Sequence, residues 1–305
     1  MSSIVKRMIV TGREGQLVQS LLERGRYDSR FEIVSLGRPE LDLADPSSIE
    51  VALRLAQPDV IVSAAAYTAV DQAEADEETA TIVNGLAPGE IASVAAELGV
   101  PIIHLSTDYV FDGGKDQPSD ESDAVAPIGA YGRSKLKGEL AVPVATDNYA
   151  ILRTAWVYSP FGKNFLRTML RLAETRSSCS VVCDQFGNPT SAFDLADGVI
   201  SVALNLLDSD SADLRGVFHM TGSGEASWAD FAEEIFAASV RFGLPSAGVR
   251  RIPSSEYPTP SKRPANSRLA SGKLAAVHGV RLPHWKISTA TVIERLATAE
   301  FGRNT

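Results

Sequence analysis

The sequence predicts an α/β protein: a Rossmann-like, doubly wound parallel sheet with a smaller, discontinuous substrate-binding domain. Three observations predict this fold class. Short apolar runs alternate with longer amphipathic segments in the N-terminal half, a glycine-rich turn follows the first run, and the pattern becomes less regular after Trp156. Near-continuous apolar strands separated by helices indicate a parallel sheet that is covered on both faces.

The apolar runs and amphipathic segments predict the elements in order. The predicted strands of the main sheet are RMIVTG, FEIVSLG, DVIVSAAA, PIIHLSTDYVF, YAILRTAWVY and, late in the chain, GVFHMTGS. The predicted helices are GQLVQSLLERG, PSSIEVALRLAQ, residues 77–99, residues 129–142, NFLRTMLRLAE, AFDLADGVISVALNLL and SWADFAEEIFAASVRFG. SVVCDQFG predicts one more short strand, and the Pro- and Ser-rich residues 251–274 predict a largely irregular segment.

The same pattern predicts the domain organisation. We expect residues 1–157 to form a dinucleotide-binding domain, to which residues 182–224 return. We expect residues 158–181 and 225–305 to form the substrate-binding domain.

Composition excludes several classes of partner. The chain has 305 residues and a net charge of −9, so it lacks the basic surface that attracts nucleic acid or an anionic membrane. Cys179 and Cys183 are too few for a disulfide framework, and no His/Cys cluster predicts zinc or another metal. Without a membrane-length apolar run or a signal-peptide core, the sequence predicts a cytoplasmic protein.

The glycine turn predicts a dinucleotide site. Gly12 and Gly15 follow a strand and precede a helix, which is the context of the dinucleotide fingerprint. Such glycines let the backbone approach a pyrophosphate that lies on the helix N-terminus. Val18 stands where the third small residue is usual, so the helix is expected slightly further out. Arg38, after the second strand, favours the 2′-phosphate of NADPH, although Glu40 and Asp42 are close and NADH stays possible.

Tyr131 and Lys135 carry the strongest chemical signal. On a helix, residues i and i+4 share a face, so the phenol and the ammonium project to the same side. A nearby cation is expected to lower the tyrosine pKa towards the working pH, which suits general acid catalysis. Gly12, residues 64–68, residues 106–108 and Trp156 end predicted strands, and one crevice could collect them.

The sequence also resembles a known family. The segments GREGQL, PDVIVSAAAYTAVDQAE, STDYVFDG, YGRSKLKGE, RTAWVY, NFLRTMLRLA, DQFGNPT and YPTPSKRPANSRL are similar to those of dTDP-4-dehydrorhamnose reductases. This family belongs to the extended short-chain dehydrogenase/reductases, and the likeness runs from residue 8 to about residue 296. STDYVFDG, the DQFG-PT pattern and the RP-NSRL pattern are more specific than the glycine turn or the Tyr/Lys pair.

The resemblance implies an activity and a set of site residues. It implies reduction of the C4 ketone of dTDP-4-dehydro-L-rhamnose to dTDP-L-rhamnose with NADPH or NADH. A homodimer is one assembly that the chain could form. The implied catalytic residues are Tyr131 as proton donor, Lys135 at the nicotinamide ribose and Thr107 at the ketone oxygen. The implied or inferred cofactor-binding residues are Gly12, Gly15, Gln16, Leu17, Arg38, Asp42, Leu43, Ala66, Tyr67 and Thr68, together with Tyr131 and Lys135. The expected substrate-binding residues are Thr107, Asp108, Trp156, Arg263, Asn266 and Arg268.

Several other side chains have plainer interpretations. Lys262, Arg263 and Arg268 form a local basic cluster that could meet a nucleotide diphosphate or could simply be solvated surface. Trp228 is expected to be a packing residue and His104 a satisfied buried imidazole. The acidic residues of segment 71–78 are expected to start a helix and cover its exposed face.

Two other functions remain open at this point. Another nucleotide-sugar reductase or epimerase of the superfamily would share the Tyr/Lys pair. An epimerase favours a complete glycine triad and an acidic ribose clamp, and a dehydratase favours an Asp-Glu pair after Thr107, where this chain has Asp108 and Tyr109. A non-catalytic NADP-binding regulatory subunit, like that of methionine adenosyltransferase, would share the fold and many motifs.

Overall fold

A computed structural model describes residues 5–301, with side chains described as far as residue 299. The strands are β1 (Lys6–Thr11), β2 (Phe31–Leu36), β3 (Val60–Ser63), β4 (Ile102–Thr107), β5 (Tyr149–Thr154), β6 (Val157–Tyr158), β7 (Ser178–Val182), β8 (Phe186–Gly187), β9 (Thr190–Ser191), β10 (Gly216–His219), β11 (Ala226–Ser227) and β12 (Gly248–Ile252). The α-helices are α1 (Gln16–Gly25), α2 (Pro46–Ala56), α3 (Val70–Ala73), α4 (Glu77–Thr81), α5 (Ala87–Leu98), α6 (Ala130–Ala145), α7 (Phe165–Ala173), α8 (Ala192–Asp208), α9 (Trp228–Arg241), α10 (Gly272–His278) and α11 (Trp285–Phe301).

The main sheet has six parallel strands in the order β2-β1-β3-β4-β5-β10. The chain steps from β1 to β2 on one side and then to β3 on the other, so the switch point lies between β1 and β3. Open α/β sheets bind ligands beyond the carboxyl ends of the strands at such a point. All six runs predicted for the main sheet are therefore confirmed.

Apolar side chains cover both faces of this sheet. On one face, α1, α8 and α10 bury a cluster that includes Leu21, Val199 and Leu274 against β1, β3, β4, β5 and β10. On the other face, α2, α5 and α6 bury a second cluster that includes Leu53 and Ile91. Burial on both faces explains why these strands are apolar at nearly every position.

A separate apolar cluster lies among α7, α9, α11 and β7. Phe231 on α9 is fully buried there, and β7 pairs in parallel with β12 in a two-stranded sheet. Ser227 caps α9 through a capping box with Asp230. From β12 to α10 the chain is largely irregular, with one short 3₁₀ turn at Ser254–Glu256.

Two predicted elements are interrupted in the structure. The helix predicted over residues 77–99 contains a π-helical turn at Ile82–Leu86, between α4 and α5. The strand predicted over residues 149–158 breaks after Thr154, because Trp156 has a left-handed backbone with φ of 48°. Both irregularities border the carboxyl ends of the strands, where backbone irregularity is often associated with function.

Candidate active site

The glycine turn lies at the carboxyl end of β1. Gly12 has φ of 102°, and a Cβ there would lie 3.2 Å from the Cβ of Ala65, so the chain passes close to the loop after β3. Gly15 precedes α1 and contributes no side-chain cap, which leaves the helix N-terminus for a ligand. The buried Val18 supports both glycines, with its Cγ2 3.4 Å and 3.6 Å from the Cβ positions of Gly12 and Gly15. This turn fits a pyrophosphate.

Gln16 and Leu17 begin α1 beside the segment that follows β6. The Gln16 amide donates to the carbonyl of Val157 at 3.3 Å and accepts from Ser159 Oγ at 2.8 Å. Asn164 Nδ2 also donates to Gln16 Oε1, at 2.9 Å. Leu17 is almost fully buried in the core beneath the sheet. Gln16 therefore connects the glycine turn to the strand ends on the other side of the crevice.

Basic and acidic side chains lie close together at the end of β2. Arg38 is exposed directly after Gly37. Arg13, from the glycine turn, donates from Nε to the carbonyl of Gly37 at 3.4 Å and forms an ion pair with Glu40. Two arginines therefore flank the position where a cofactor's ribose is expected. The sequence interpretation considered only Arg38, although Arg13 is in the glycine turn itself.

Asp42 and Leu43 follow this strand end, and both are partly buried. Ser48 Oγ accepts from the backbone nitrogen of Asp42 at 2.9 Å, and the Asp42 carboxylate accepts from the backbone nitrogen of Ala44 at 3.0 Å. These bonds fix the loop that leads into α2.

The loop after β3 contains Ala66, Tyr67 and Thr68, and it is held by Asn84. The buried Asn84 side chain accepts from the backbone nitrogen of Tyr67 at 2.8 Å and donates to its carbonyl at 3.0 Å. Asn84 Nδ2 also donates to Ser134 Oγ at 3.0 Å. Because Asn84 lies in the π-helical turn, this irregularity joins the loop to the helix that carries Tyr131 and Lys135.

Thr107 ends β4 and lies beside Tyr131. Burial raises the pKa of Tyr131 strongly, the charge of Asp108 raises it further, and the nearby hydroxyl of Thr107 partly opposes both. The expectation that Lys135 lowers this pKa is therefore wrong. Lys135 donates instead to the backbone of β4. The phenol is consequently held in its protonated form, which is the form that a proton donor needs.

Lys135 is buried one helical turn after Tyr131. Its Nζ donates to the carbonyl of Leu105 at 2.6 Å and lies 3.4 Å from Nε2 of His104. Burial lowers the pKa of Lys135 to about 8, and the carboxylate of Glu139 opposes the shift. Lys135 is thus a fixed cation below the end of β4.

Buried polar atoms without protein partners mark the crevice. Asp108 Oδ1 accepts from Thr107 Oγ1 at 2.8 Å, whereas Asp108 Oδ2 has no hydrogen-bond partner. Ser106 Oγ and Thr154 Oγ1, at the ends of β4 and β5, are also buried without a hydrogen-bond partner. Burial raises the pKa of Asp108 to about 6, and the nearby hydroxyls of Ser267 and Thr107 partly oppose this rise. Buried orphan groups are costly, so these atoms indicate a polar ligand or ordered water here.

Trp156 follows the carboxyl end of β5 and is partly buried. Its indole stacks on Trp228, with ring centroids 3.5 Å apart and an interplanar angle of 7°. A Cβ at Gly187 would lie 2.4 Å from Cε2 of Trp156, so the glycine is required there. Trp228 packs as expected, and in doing so it covers one face of Trp156 and leaves less of that ring for a sugar.

Arg263 reaches the crevice from the irregular C-terminal segment. Its Nη2 donates to Asp71 Oδ2 at 2.8 Å and its Nη1 to the hydroxyl of Tyr109 at 3.1 Å. The Tyr109 ring in turn contacts Tyr131 edge to face, with centroids 5.6 Å apart. Asp71 was expected on an exposed helix face. Its contact with Arg263 shows that it also holds a cation beside Tyr109, whose ring contacts Tyr131.

Asn266 and Arg268 are occupied by internal contacts. Asn266 Nδ2 donates to the carbonyls of Lys115 and, at 2.9 Å, Gln117, while its Oδ1 accepts from Arg268 Nε at 2.9 Å. Arg268 Nη1 donates to Glu225 Oε2 at 2.8 Å. These two residues shape the loop after β4. Lys262 is exposed beside them.

The structure therefore brings most of the predicted residues to one edge of the sheet. Hydrogen bonds or close contacts join the glycine turn to Ala65, Gln16 to Val157, Tyr67 through Asn84 to Ser134, and Thr107 to Tyr131. Arg38 lies at the end of β2 on the same edge. In residues 5–301, no group of three or more His, Cys, Asp or Glu side chains is arranged to hold a metal ion, and no helix is long and apolar enough to span a membrane.

Comparison with known proteins identifies the family. The family model described as RmlD substrate binding domain matches residues 6–298. A dTDP-4-dehydrorhamnose reductase from Sinorhizobium fredii is 51% identical over 287 residues, covering 94% of this chain and 96% of that relative. The chain belongs to the dTDP-4-dehydrorhamnose reductase family. The resemblance stated from the sequence motifs is therefore confirmed.

Further members of the dTDP-4-dehydrorhamnose reductase family support this assignment. The Escherichia coli K12 enzyme is 41% identical over 262 residues, covering 84% of this chain and 86% of that enzyme. A crystal structure of the reductase from Bacillus anthracis in complex with NADP has a TM-score of 0.89 and 30% identity, covering 96% of this chain and 100% of that one. The reductase from Clostridium acetobutylicum has a TM-score of 0.87 and 35% identity, with coverage of 95% and 99%.

Proposed function

We propose that the chain reduces the C4 ketone of dTDP-4-dehydro-L-rhamnose (dTDP-6-deoxy-L-lyxo-4-hexulose) to dTDP-L-rhamnose, with NADPH or NADH as cofactor. One set of observations supports the proposal: in a member of this family, Thr107 ends β4 beside Tyr131, Lys135 bonds to the same strand at Leu105, and the glycine turn ends β1 at the same edge of the sheet. The substrate is a nucleotide sugar with a ketone whose oxygen needs a proton when its carbon is reduced.

The cofactor is proposed to lie across the strand ends. Gly12, Gly15, Gln16 and Leu17 would hold its pyrophosphate, because the N-terminus of α1 favours negative charge. The remaining proposed contacts are Arg38, Asp42, Leu43, Ala66, Tyr67, Thr68, Tyr131 and Lys135. When bound, the reduced nicotinamide supplies the hydride for the ketone carbon.

Tyr131 is proposed to donate the proton. Its raised pKa keeps the phenol protonated, and the developing negative charge on the ketone oxygen makes the transfer favourable. Thr107 would turn its hydroxyl from Asp108 towards the same oxygen and stabilise the charge as it develops. The Lys135 ammonium would hold the nicotinamide ribose and stabilise the phenolate that remains.

The sugar nucleotide is proposed to lie between the strand ends and the C-terminal segment. Arg263, held by Asp71 and Tyr109, supplies positive charge for the diphosphate. Asp108 and Trp156 complete the proposed substrate contacts, and Asn266 and Arg268 are proposed to contribute by shaping the loop after β4. We propose residues 1–157 with 182–224 as the cofactor domain and 158–181 with 225–305 as the substrate domain. The homodimer and the cytoplasmic location stay predictions.

An assay of the purified chain tests this function. Protein, NADPH and dTDP-4-dehydro-L-rhamnose are mixed, absorbance is followed at 340 nm, and the product configuration at C4 is read by NMR. Consumption of NADPH with formation of dTDP-L-rhamnose supports the proposal. Tight NADPH binding without turnover would contradict it and favour the regulatory-subunit alternative. A panel of dTDP- and UDP-linked 4-keto sugars defines the nucleotide specificity.

A further inference from the structure

We propose that His104 is a positioning residue for Lys135, an inference that rests on the proposed function. His104 lies on β4, is only 1% exposed, and stands between two polar partners. Its Nε2 lies 3.4 Å from Lys135 Nζ, and its Nδ1 lies 3.1 Å from Ser63 Oγ at the end of β3. A hydrogen bond to Ser63 would already satisfy one nitrogen of a buried imidazole. The additional contact with Lys135 therefore suggests a role beyond packing.

The ammonium determines the tautomer of His104. Because Lys135 has only donors, Nε2 must present its lone pair, and the ring proton must be on Nδ1. Nδ1 then donates to Ser63 Oγ. Burial lowers the pKa of His104 well below its ordinary value, and the positive charge of Lys135 lowers it further, so the imidazole stays neutral. A protonated ring would place a second cation beside the ammonium.

The count of donors on Lys135 shows what this arrangement achieves. An ammonium has three N–H donors. Leu105 and His104, neighbours on β4, take two of them in the described part of the chain. One donor is then left for the crevice, where the cofactor ribose is expected. Two acceptors from a single strand fix the position and the rotation of the ammonium, whereas Leu105 alone would fix only one bond.

The test compares two variants of nearly equal shape. His104→Gln keeps an acceptor near the Nε2 position, and His104→Met replaces it with a thioether that accepts weakly. The dissociation constant for NADPH is measured by fluorescence titration, kcat and KM by steady-state assay, and folding by thermal unfolding. His278→Met is the control, because His278 is a buried imidazole that contacts Asn205 and lies away from Lys135.

We expect His104→Met to weaken NADPH binding by about 5–10-fold and to lower kcat by a similar factor, the usual effect of one lost hydrogen bond. The KM for the sugar nucleotide should change by less than about 2-fold, and His104→Gln should recover most of both losses. The control variant should leave the dissociation constant for NADPH unchanged.

Two results would overturn the inference. One is a His104→Met variant that binds NADPH and turns over like the wild type. The other is a His104→Gln variant as impaired as His104→Met at the same unfolding temperature, since shape and not the acceptor would then matter. If both variants unfold, Ser63→Ala provides the test. Losing the hydrogen bond to His104 Nδ1 should weaken NADPH binding by roughly 2–5-fold. An unchanged dissociation constant for NADPH would contradict the positioning role of His104. The NADPH titration does not require the sugar substrate. If the wild type bound NADPH but had no reductase activity, the proposed function would be refuted, and the titration could still test the role of His104.

Discussion

Glu74 caps the helix that carries Tyr131, because its Oε1 lies 3.0 Å from the backbone nitrogen of Ala130. The same oxygen accepts from the hydroxyl of Ser261, on the C-terminal segment, at 2.8 Å. Gly129 at the N-cap has no side chain, and a Cβ there would lie 2.8 Å from Glu74 Oε1. One carboxylate therefore supports the N-terminus of α6 and joins it to the segment that carries Arg263.

Replacing Glu74 should cost stability. We expect Glu74→Ala to lower the free energy of unfolding by about 1–2 kcal/mol, the usual effect of losing a cap and a favourable charge at a helix N-terminus. Urea denaturation measures the change. Glu78→Ala, an exposed acidic residue on the neighbouring α4, is the matched control and should change stability by less than about 0.5 kcal/mol. Equal stabilities of the two variants would rule out the cap.

Removing the phenol hydroxyl should stop proton donation without disturbing the fold. We expect Tyr131→Phe to lower kcat by about 10²–10⁴, the usual contribution of a positioned acid, with little change in sugar-nucleotide affinity. Steady-state kinetics and calorimetric titration measure the two quantities. Tyr149→Phe, at the opposite end of the sheet, should match the wild type. Unaltered turnover of Tyr131→Phe would remove Tyr131 from the mechanism.

The sheet and the crevice could be predicted from the sequence, because both depend on local patterns. Strands buried on two faces are apolar throughout, and the residues that end them must share one edge of a parallel sheet. Gly12, Thr107 and Trp156 were therefore expected near one another, and the structure places them along that edge. The spacing of Tyr131 and Lys135 is likewise a property of one helix.

Contacts between distant segments could not be predicted in the same way. Asn84 looks like an ordinary helix residue, and only the π-helical turn shows that it joins the Tyr67 loop to Ser134. Asp71 and Glu74 look like solvated acids, and only the folded chain shows that they bond to Arg263 and Ser261 on the C-terminal segment. Burial also reversed the expected pKa shift of Tyr131, since desolvation and the charge of Asp108 raise this pKa and Lys135 bonds elsewhere. Tertiary structure determines the hydrogen-bond partner of a polar residue, and the hydrophobic periodicity of a single helix or strand does not predict that partner.

The cofactor preference should depend on the arginines at the end of β2. Arg38→Ala should weaken NADPH by about 5–20-fold and NADH by less than about 2-fold, because only NADPH carries the 2′-phosphate that an arginine can bind. Dissociation constants for both cofactors measure the difference. Arg26→Ala, an exposed arginine at the far end of α1, is the control. Equal losses of affinity for both cofactors would mean that Arg38 does not recognise the 2′-phosphate. Arg13→Ala would then test whether Arg13 does.

Asp108 should make stability depend on pH in an unusual direction. Burial raises its pKa from 3.8 to about 6 in the folded protein, so the native state holds this proton more tightly than the unfolded chain does. Its contribution is therefore full below pH 4 and is lost as pH rises through 6. Most native carboxylates behave in the opposite way. Asp108→Asn removes the titration while keeping the shape of the side chain.

The comparison needs only the difference between the two proteins, because their other carboxylates titrate alike. Between pH 4.5 and pH 7.5, the wild type should lose about 2 kcal/mol of unfolding free energy relative to Asp108→Asn, since one pKa unit corresponds to about 1.4 kcal/mol. Urea denaturation at both pH values measures this difference. A difference that stays constant with pH would mean that Asp108 titrates normally, and the unpartnered Oδ2 would then be hydrated in solution.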